Sequence, residues 1–418
     1  MRTQFRAEQL ADPHMKDAEK ALRTCVHCGF CTATCPTYVL LGDERDSPRG
    51  RIMLMQQMLE RGAAPSRETV LHLDRCLSCL GCRTACPSGV DYAALIDQSR
   101  AHIDRTYRRP ILQRLFRNFA LLVLTWPRLF AIMLVLGRIA SPVLSRIPGK
   151  FGAMVKKARR RPRARRRRSL AAMTVSESAP AVLIYPGCVQ RVLAPGIDDA
   201  AASVLARQDM QILIAPKVEC CGALAYHMGK TEIGKEHARQ TILAFEAAWN
   251  RGPLHAALMT ASGCCAFLKD YGRVFADDPV WRERAEAFSA QVKDFTEVAE
   301  ARGQAPAREL KIAYHPPCSL QHGQRVRGAG EKLLAAAGFR LVAFPDAHRC
   351  CGSAGSYSLL QPEIAEALRE KKLAAVRTSG ANMIVSGNIG CLTHLSGDIP
   401  TAHIAELLDW AAGGPKPI

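Results

Sequence analysis

Cysteines in two short runs are the residues whose type and spacing could do chemistry. Both runs read C-x2-C-x2-C-x3-C-P, and the second repeats the first after 51 residues. Three thiolates at this spacing hold three corners of a [4Fe–4S] cube, while the fourth cysteine ligates the other cube of a pair. The runs therefore predict two [4Fe–4S] clusters with crossed ligation. The first would use Cys25, Cys28, Cys31 and Cys86, and the second Cys76, Cys79, Cys82 and Cys35.

Zinc sites and inert buried thiols are the competing interpretations of these runs. Zinc ribbons use two C-x2-C pairs separated by a loop, and they do not need four cysteines and a proline within twelve residues. The runs match the cluster-binding pattern twice without deviation. We expect Gly29 and Gly81 to let the backbone approach the cubes closely, and Pro36 and Pro87 to stiffen the chain after each run.

The total cysteine content argues against a secreted, disulfide-linked protein. The chain has 17 cysteines, an odd number, and its first twenty residues show no charged-then-apolar leader with a small-residue cleavage site. With 418 residues, the chain is also long enough for two or three domains that each bury a core. We therefore expect reduced, cytoplasmic thiols that bind metal.

Two kinds of secondary structure are predicted on either side of a basic segment. Residues 14 to 104 have apolar residues at three- and four-residue spacing, with Ser or Asp before the helix starts and Gly after the ends. From residue 181, short apolar runs such as "AVLIYPGC", "QILIAP", "AALMTASGC", "KIAYHPPC", "FRLVAF" and "NMIVSGNIGC" alternate with helical stretches. This alternation predicts parallel sheets, several of whose strands end at a cysteine, where open α/β sheets hold ligands.

The second half of the chain is an internal repeat. Three cysteines of one half recur 130 residues later, a fourth recurs after 127, and glycine follows both double cysteines. Two matched sets of thiols at strand ends favour metal binding over inert core cysteine. The first module has adjacent Cys264 and Cys265, whereas the second has only Cys391 with His394 three positions on. The candidate metal ligands are Cys188, Cys220, Cys221, Cys264, Cys318, Cys350, Cys351 and Cys391.

The net charge of +19 comes from one segment. Residues 105 to 168 contain 19 Lys and Arg and no Asp or Glu, and the rest of the chain has 38 residues of each sign. The apolar stretch at residues 119 to 136 contains Pro127 and Arg128 at its middle, which disfavours a membrane span and favours an interfacial helix or bent hairpin. The basic run at residues 150 to 168 is either a segment that docks on an anionic membrane or a solvated tail. Nucleic-acid binding is not expected, because the run has no aromatic residues among its arginines.

The motifs together resemble a known family. They are "HCGFCTATCPTY", "SPRGRI", "CLSCLGCRTACPSGVDY", "YPGCVQ", "CCGALAYHMG", "HPPCSLQHGQ" and "CCGSAGSYSLLQP". Over residues 15 to 100 and 181 to 412 the chain resembles the iron–sulfur subunits of bacterial glycolate oxidase, within a superfamily of two-cluster ferredoxin plus tandem CCG-domain proteins. The resemblance implies an α+β multidomain fold, in which an α-helical ferredoxin domain with two [4Fe–4S] clusters precedes two tandem α/β cysteine-rich (CCG) domains.

The resemblance also implies a division of labour between subunits. The oxidation of glycolate to glyoxylate would take place on FAD-binding partner subunits, while this chain passes electrons toward quinone. The absence of a G-x-G-x-x-G motif after a strand agrees, because it leaves no sign of a flavin fold here. Related iron–sulfur subunits of heterodisulfide reductase and of anaerobic glycerol-3-phosphate or lactate dehydrogenases are the alternative. Heterodisulfide reductase modules end in C-x2-C, which the two CCG modules of this chain lack, so one further cluster in these modules, or none, remains open.

The expected organisation follows from these observations. We predict a ferredoxin domain at residues 1–104, a basic and apolar membrane-interfacial segment at 105–180, and CCG domains at 181–310 and 311–418. The protein is expected to be part of a hetero-oligomer, bound peripherally to the cytoplasmic face of the inner membrane. No catalytic residue is assigned to this chain.

Overall fold

The N-terminal third of the protein is helical. The computed structural model describes residues 1–144, 152, 155, 179–215, 218–307 and 309–417. The helix of "SPRGRIMLMQQMLERG" begins after Ser47, whose hydroxyl accepts a hydrogen bond from Gly50 N, and ends at Gly62 in the left-handed conformation (φ 67°). The helices are α1 (Ala7–Leu10), α2 (Pro13–Thr24), α3 (Pro36–Leu41), a 3-10 turn (Glu44–Asp46), α4 (Pro48–Arg61), α5 (Arg67–Asp74), α6 (Gly81–Ala85) and α7 (Tyr92–Thr106).

Two further helices make up the described part of the basic segment. Helix α8 (Ile111–Thr125) and helix α9 (Pro127–Leu144) meet at a bend of 111°. Neither is by itself long and apolar enough to cross a bilayer, although the bent pair together has the required length and composition. Of the two predicted arrangements, the bent hairpin is the one observed. The basic run at residues 150–168 lies outside the described residues, apart from residues 152 and 155.

Two four-stranded parallel sheets form the rest of the protein, which confirms the predicted α+β class. Their strand orders are β2-β1-β3-β4 and β6-β5-β7-β8. Strands β4 and β8 were not predicted, because each has only three residues, and "FRLVAF" supplies only a two-residue strand. The strands are β1 (Ala181–Ile184), β2 (Gln211–Ile214), β3 (Leu254–Met259), β4 (Val292–Asp294), β5 (Lys311–Tyr314), β6 (Arg340–Leu341), β7 (Met383–Ser386) and β8 (Thr401–His403).

Helices connect the strands in both modules. The first module has α10 (Gln190–Leu193), α11 (Gly196–Ala206), α12 (Ala223–His227), α13 (Thr231–Trp249), α14 (Ser262–Leu268), α15 (Tyr271–Val274), α16 (Arg282–Gln291) and α17 (Phe295–Val298). The second has a π-helical turn (Ser319–Gly323), α18 (Ala329–Ala336), α19 (Tyr357–Leu360), α20 (Pro362–Thr378), α21 (Ile389–Leu395) and α22 (Ile404–Ala411).

The two modules share one hydrophobic core. Val182 and Ile184 of the first sheet belong to the same buried cluster as Ile312 and Val385 of the second. The loops that follow β3 and β7 also meet, since Ser262 Oγ donates a hydrogen bond of 2.9 Å to Gly387 O. The cysteine-bearing carboxyl ends of the two sheets therefore face each other.

Candidate iron–sulfur sites

The first predicted set of ligands lines an open cleft of about 430 Å³. Cys28 is exposed, and burial raises the pKa of the Cys31 thiol to about 11, with the nearby Cys25 thiolate as the next contribution. We call this set the first thiol group. Its members are Cys25, Cys28, Cys31 and Cys86, all of which line the cleft together with Cys82.

The second predicted set lies deeper. Burial raises the pKa of the Cys82 thiol, and the neighbouring charges of Cys79, Cys76 and Cys35 raise it further. Cys76 Sγ accepts a hydrogen bond of 3.5 Å from Ser78 N. The structure thus brings the fourth cysteine of each run beside the first three cysteines of the other run. We call Cys76, Cys79, Cys82 and Cys35 the second thiol group.

The two runs fold alike around these groups. His27 and Ser78, which are equivalent in the repeat, both have left-handed backbones, with φ values of 55° and 50°. Gly29 is also left-handed (φ 88°), but its counterpart is Leu80 (φ 59°), and Gly81 begins helix α6 without a positive φ. The close backbone approach expected at Gly81 stays a prediction, since the absence of a positive φ does not test it. Non-glycine residues in this conformation are strained and occur where surrounding structure or function requires them.

A buried ionic network supports the second thiol group. Arg51 is 1% exposed; its Nη1 donates to Thr37 Oγ1 (3.0 Å) and approaches Cys35 Sγ (3.8 Å). Its Nη2 donates to Asp46 (3.1 Å), which also bonds His72 Nδ1 (3.0 Å). Burial alone would lower the pKa of Arg51, but the charges of Cys76, Tyr92, Cys35 and Asp46 raise it. A permanent cation therefore lies against the second group.

We expect Arg51→Gln to lower the reduction potential of the second cluster. Removing a buried positive charge destabilises the reduced cluster, because this state carries one more negative charge than the oxidised state. The reduction potential should fall by on the order of 100 mV. Asp46 keeps His72 and Arg75 as partners in this variant, which limits the damage to the fold. The measurement is a redox titration followed by electron paramagnetic resonance.

Arg49→Gln is the matched control. Arg49 lies near the first thiol group, but its side chain is 37% exposed and pairs with Glu44 (2.6 Å). Solvent screens such a charge, so the first cluster's potential should change much less. Equal shifts in the two variants would contradict a special role for Arg51.

The thiols of the first module form a continuous row. Cys188 lies beside Cys220, Cys220 beside Cys221, and Cys221 beside Cys264, and each thiol shifts the pKa of its neighbour. Cys265 is fully buried in the apolar core next to Asp294 instead. Only one cysteine of the adjacent pair therefore joins the row, because neighbouring side chains on helix α14 project about 100° apart. We call Cys188, Cys220, Cys221 and Cys264 the module 1 thiols.

The second module repeats this row and adds a histidine. Cys350 lies beside Cys318 and Cys351, and Cys351 lies beside Cys391. The neighbouring side chains of Cys350, Cys391 and His315 lower the pKa of Cys351 despite its burial. The ligand atoms of His315, Cys351 and Cys391 lie within 4.8 Å of one another. We call Cys318, Cys350, Cys351 and Cys391 the module 2 thiols.

The glycine after each double cysteine has a structural reason. Gly222 and Gly352 have φ values of 87° and 95°, and their N–H groups donate to Cys220 Sγ and Cys350 Sγ, both at 3.4 Å. A Cβ on Gly222 would lie 2.4 Å from Gly234 O. Only glycine therefore folds the backbone back onto the thiol at this position.

The second thiol group lies against the second module. The charge of Cys318 is the largest contribution after burial to the raised pKa of Cys79. Both cysteines pack against one apolar cluster that contains Leu77, Cys350 and Tyr357. Tyr357 also donates a hydrogen bond of 3.0 Å to the carbonyl before Cys76. Apolar side chains therefore join these two sets of thiols.

The module 2 thiols in turn lie close to those of module 1. Asn388 Nδ2 donates to Cys391 Sγ (3.4 Å), and its Oδ1 accepts from Gly263 N (3.5 Å), the residue before Cys264. One side chain thus bridges the two rows across the module interface.

Helix α9 covers the far side of the module 1 thiols. Phe130 and Leu134 of α9 and Cys264 pack against the same apolar cluster, which includes Leu193 and Ala261. The bent helix pair is therefore attached to the protein beside the last set of thiols.

The donors at these four sites suit iron–sulfur clusters. Thiolates are the soft ligands that such clusters use, and the two ferredoxin-type groups each supply four of them around a common space. When bound, the clusters would supply one-electron transfer. Sequence reasoning missed Arg51, His315 and Asn388. Arg51 could have been found as an arginine on the buried face of α4, whereas Asn388 gave no signal.

Sequence profiles of two domain families match the chain. The 4Fe-4S dicluster domain matches residues 24–90, and the cysteine-rich domain matches residues 182–269 and 312–396. One similar solved structure is a hypothetical protein from Helicobacter pylori, with a TM-score of 0.55, 8% identity, and coverage of 97% of this chain and 73% of that one. This likeness concerns the fold alone.

Curated relatives match over longer stretches. The chain is 40% identical to the glycolate oxidase iron-sulfur subunit of Escherichia coli (strain K12), over 98% of this chain and 99% of the relative. It is 31% identical to the probable glycolate oxidase iron-sulfur subunit of Bacillus subtilis (strain 168), over 94% and 95%. Lactate utilization protein A of Exiguobacterium sp. is 29% identical over 55% of this chain and 97% of that protein.

Proposed function

The chain belongs to the family of glycolate oxidase iron–sulfur subunits, and on that premise we propose that it carries electrons from a flavoprotein that oxidises glycolate toward quinone at the membrane. It is the iron–sulfur electron-transfer subunit of a hydroxy-acid oxidase, and it works in a complex with a catalytic partner subunit. The identity of the hydroxy acid, the FAD on the partner, the quinone and the membrane attachment are our proposals.

The order of the thiol sites is the observation that carries this proposal. The first thiol group opens to solvent, the second is buried against module 2, and Asn388 links module 2 to module 1. Module 1 ends under helix α9. Short steps between neighbouring sites thus lead from an exposed cleft to the helix pair.

The open cleft is the proposed entry for electrons. Val26 and Phe30 beside it are 67% and 68% exposed, and Cys28 also reaches the surface. Exposed apolar side chains around a redox site fit the docking of a partner protein. We propose that the flavoprotein binds here.

The helix pair is the proposed exit and anchor. Arg117 of α8 faces inward, where it bonds Asp74 (3.8 Å), while apolar side chains of both helices face outward. A helix with this orientation suits the interface of a bilayer on the cytoplasmic side. The outward residues are Ile111, Leu112, Leu115, Phe119, Leu122, Trp126, Ile132, Val135, Leu136 and Ile139.

The test is anaerobic reduction of the clusters by substrate. Glycolate should reduce the clusters of this chain only when the flavoprotein subunit is present, because hydride or carbanion chemistry needs a cofactor such as the flavin of the proposed partner. We expect glycolate to act faster than lactate or glycerol 3-phosphate, as followed by the loss of visible cluster absorbance. Faster reduction by either of those two would assign a different substrate. Reduction of a disulfide by the chain alone would indicate a heterodisulfide-reductase-like enzyme.

A further inference from the structure

We propose that the second module holds an iron–sulfur centre with His315 as a nitrogen ligand. His315 follows strand β5 and is completely buried. Its N–H donates to Val385 O (2.8 Å) and its carbonyl accepts from Ser386 Oγ (2.8 Å). The backbone is thus fixed on both sides, and the imidazole has one orientation toward the thiols.

The imidazole lacks the partners that a buried histidine normally has. Neither Nδ1 nor Nε2 has a nitrogen or oxygen hydrogen-bond partner among the described residues. A ring nitrogen instead lies near Cys351 and Cys391, with the ligand atoms of all three within 4.8 Å. A buried imidazole that has only thiols near its nitrogens among the described residues is poorly satisfied, and coordination of a shared metal would remove this cost.

The repeat provides an internal comparison. Tyr185 occupies the position of His315 in the first module, 130 residues earlier. Its hydroxyl donates to Thr241 O (3.2 Å), away from the module 1 thiols. Among the described residues, the two rows of thiols therefore differ by one donor, the nitrogen that His315 adds in module 2. We expect the two modules to bind metal differently.

His394 is not the histidine that serves the site. It takes the place of the last cysteine in the C-x2-C pattern, but its Nε2 bonds Ala365 O (3.1 Å) in the direction of helix α20. The ligand that replaces the missing cysteine is therefore His315, which follows a different strand and faces Cys351.

Iron suits this donor set better than zinc. Zinc takes four ligands in one tetrahedron, whereas here three donors lie within 4.8 Å of one another and the row of thiols continues from Cys351 through the adjacent Cys350 to Cys318. Cys318 also lies beside Cys79 of the second thiol group, where a redox-active centre could exchange electrons. Imidazole in place of thiolate raises the potential of an iron–sulfur centre, which favours electron flow into module 2. This proposal is independent of which hydroxy acid the partner oxidises.

The test uses anaerobically purified full-length protein labelled with ¹⁵N-histidine. Pulsed electron paramagnetic resonance should detect strong ¹⁵N coupling to a centre other than the two ferredoxin-type clusters. The coupling should vanish in His315→Ala and His315→Cys and persist in His394→Gln. His315→Cys should keep its iron and lower the centre's potential, because thiolate adds negative charge.

Three outcomes would overturn the proposal. One is an iron content of about eight per chain that His315→Ala leaves unchanged, since two [4Fe–4S] clusters already account for it. Another is stoichiometric zinc in place of the extra iron. The third is ¹⁵N coupling as weak as that of a hydrogen bond, in which case His315 only bonds the Cys351 thiolate. None of these measurements involves glycolate, so they can fail while the proposed function stands.

Discussion

Replacing Cys35 with alanine should abolish the second [4Fe–4S] cluster and leave the first intact. Cys35 belongs to the first run by sequence, but its thiol lies with Cys79 and Cys82 of the second. The first thiol group keeps all four of its donors in this variant. On the proposed electron path, transfer from the flavoprotein to quinone should fall to background, because the second group lies between the open cleft and module 2.

Electron paramagnetic resonance of the dithionite-reduced variants is the measurement. Cys28→Ala should remove the complementary signal, since Cys28 serves the first group. Cys265→Ala is the matched control, because this thiol is buried in the apolar core outside the four sites and its loss should leave every cluster signal unchanged. If Cys35→Ala and Cys28→Ala removed the same signal, ligation would follow the sequence runs and the crossing would be wrong.

Replacing Leu112, Leu115 and Leu122 on the outward face of helix α8 with glutamate should release the protein from membranes. Leu112, Leu115 and Leu122 are 81%, 57% and 47% exposed, so their substitution leaves the core of the protein unchanged. Burying a leucine in an apolar phase stabilises by about 1.5–3 kcal/mol, so the triple variant should bind vesicles more than about a hundredfold more weakly. The measurement is co-sedimentation of the purified chain with vesicles of phosphatidylethanolamine and phosphatidylglycerol.

Ile233→Glu with Leu243→Glu is the control for the helix variant. These residues of helix α13 are 46% and 43% exposed but lie away from the helix pair, so vesicle binding should persist. High salt should weaken the binding of the parent chain only in part, because hydrophobic burial does not depend on counterions. If the parent chain does not bind vesicles but needs the three leucines to bind the flavoprotein, the apolar face is the binding surface for that partner.

The sequence alone identified the cysteines of the two ferredoxin-type groups. The C-x2-C-x2-C spacing is local, and a chain that places three thiols within seven residues can hold three corners of one cube, while the repeated run supplies the fourth. The strand-end cysteines were predictable for a similar reason, because apolar runs followed by loops identify parallel strands. The bend between α8 and α9 was also readable, since Pro127 cannot continue a helix from the preceding turn.

Only the tertiary structure decided which groups meet. Nothing local distinguishes Cys264 from Cys265, or His394 from His315, and in each pair the orientation of one strand end or helix selects the residue that faces the thiols. Arg51 reaches Cys35 because helix α4 packs against the 3-10 turn and α5, which bury its guanidinium. The order of the four thiol sites likewise depends on contacts between residues hundreds of positions apart, such as Cys79 and Cys318. Such contacts follow from the packing of whole elements, which the spacing of residues along the chain does not encode.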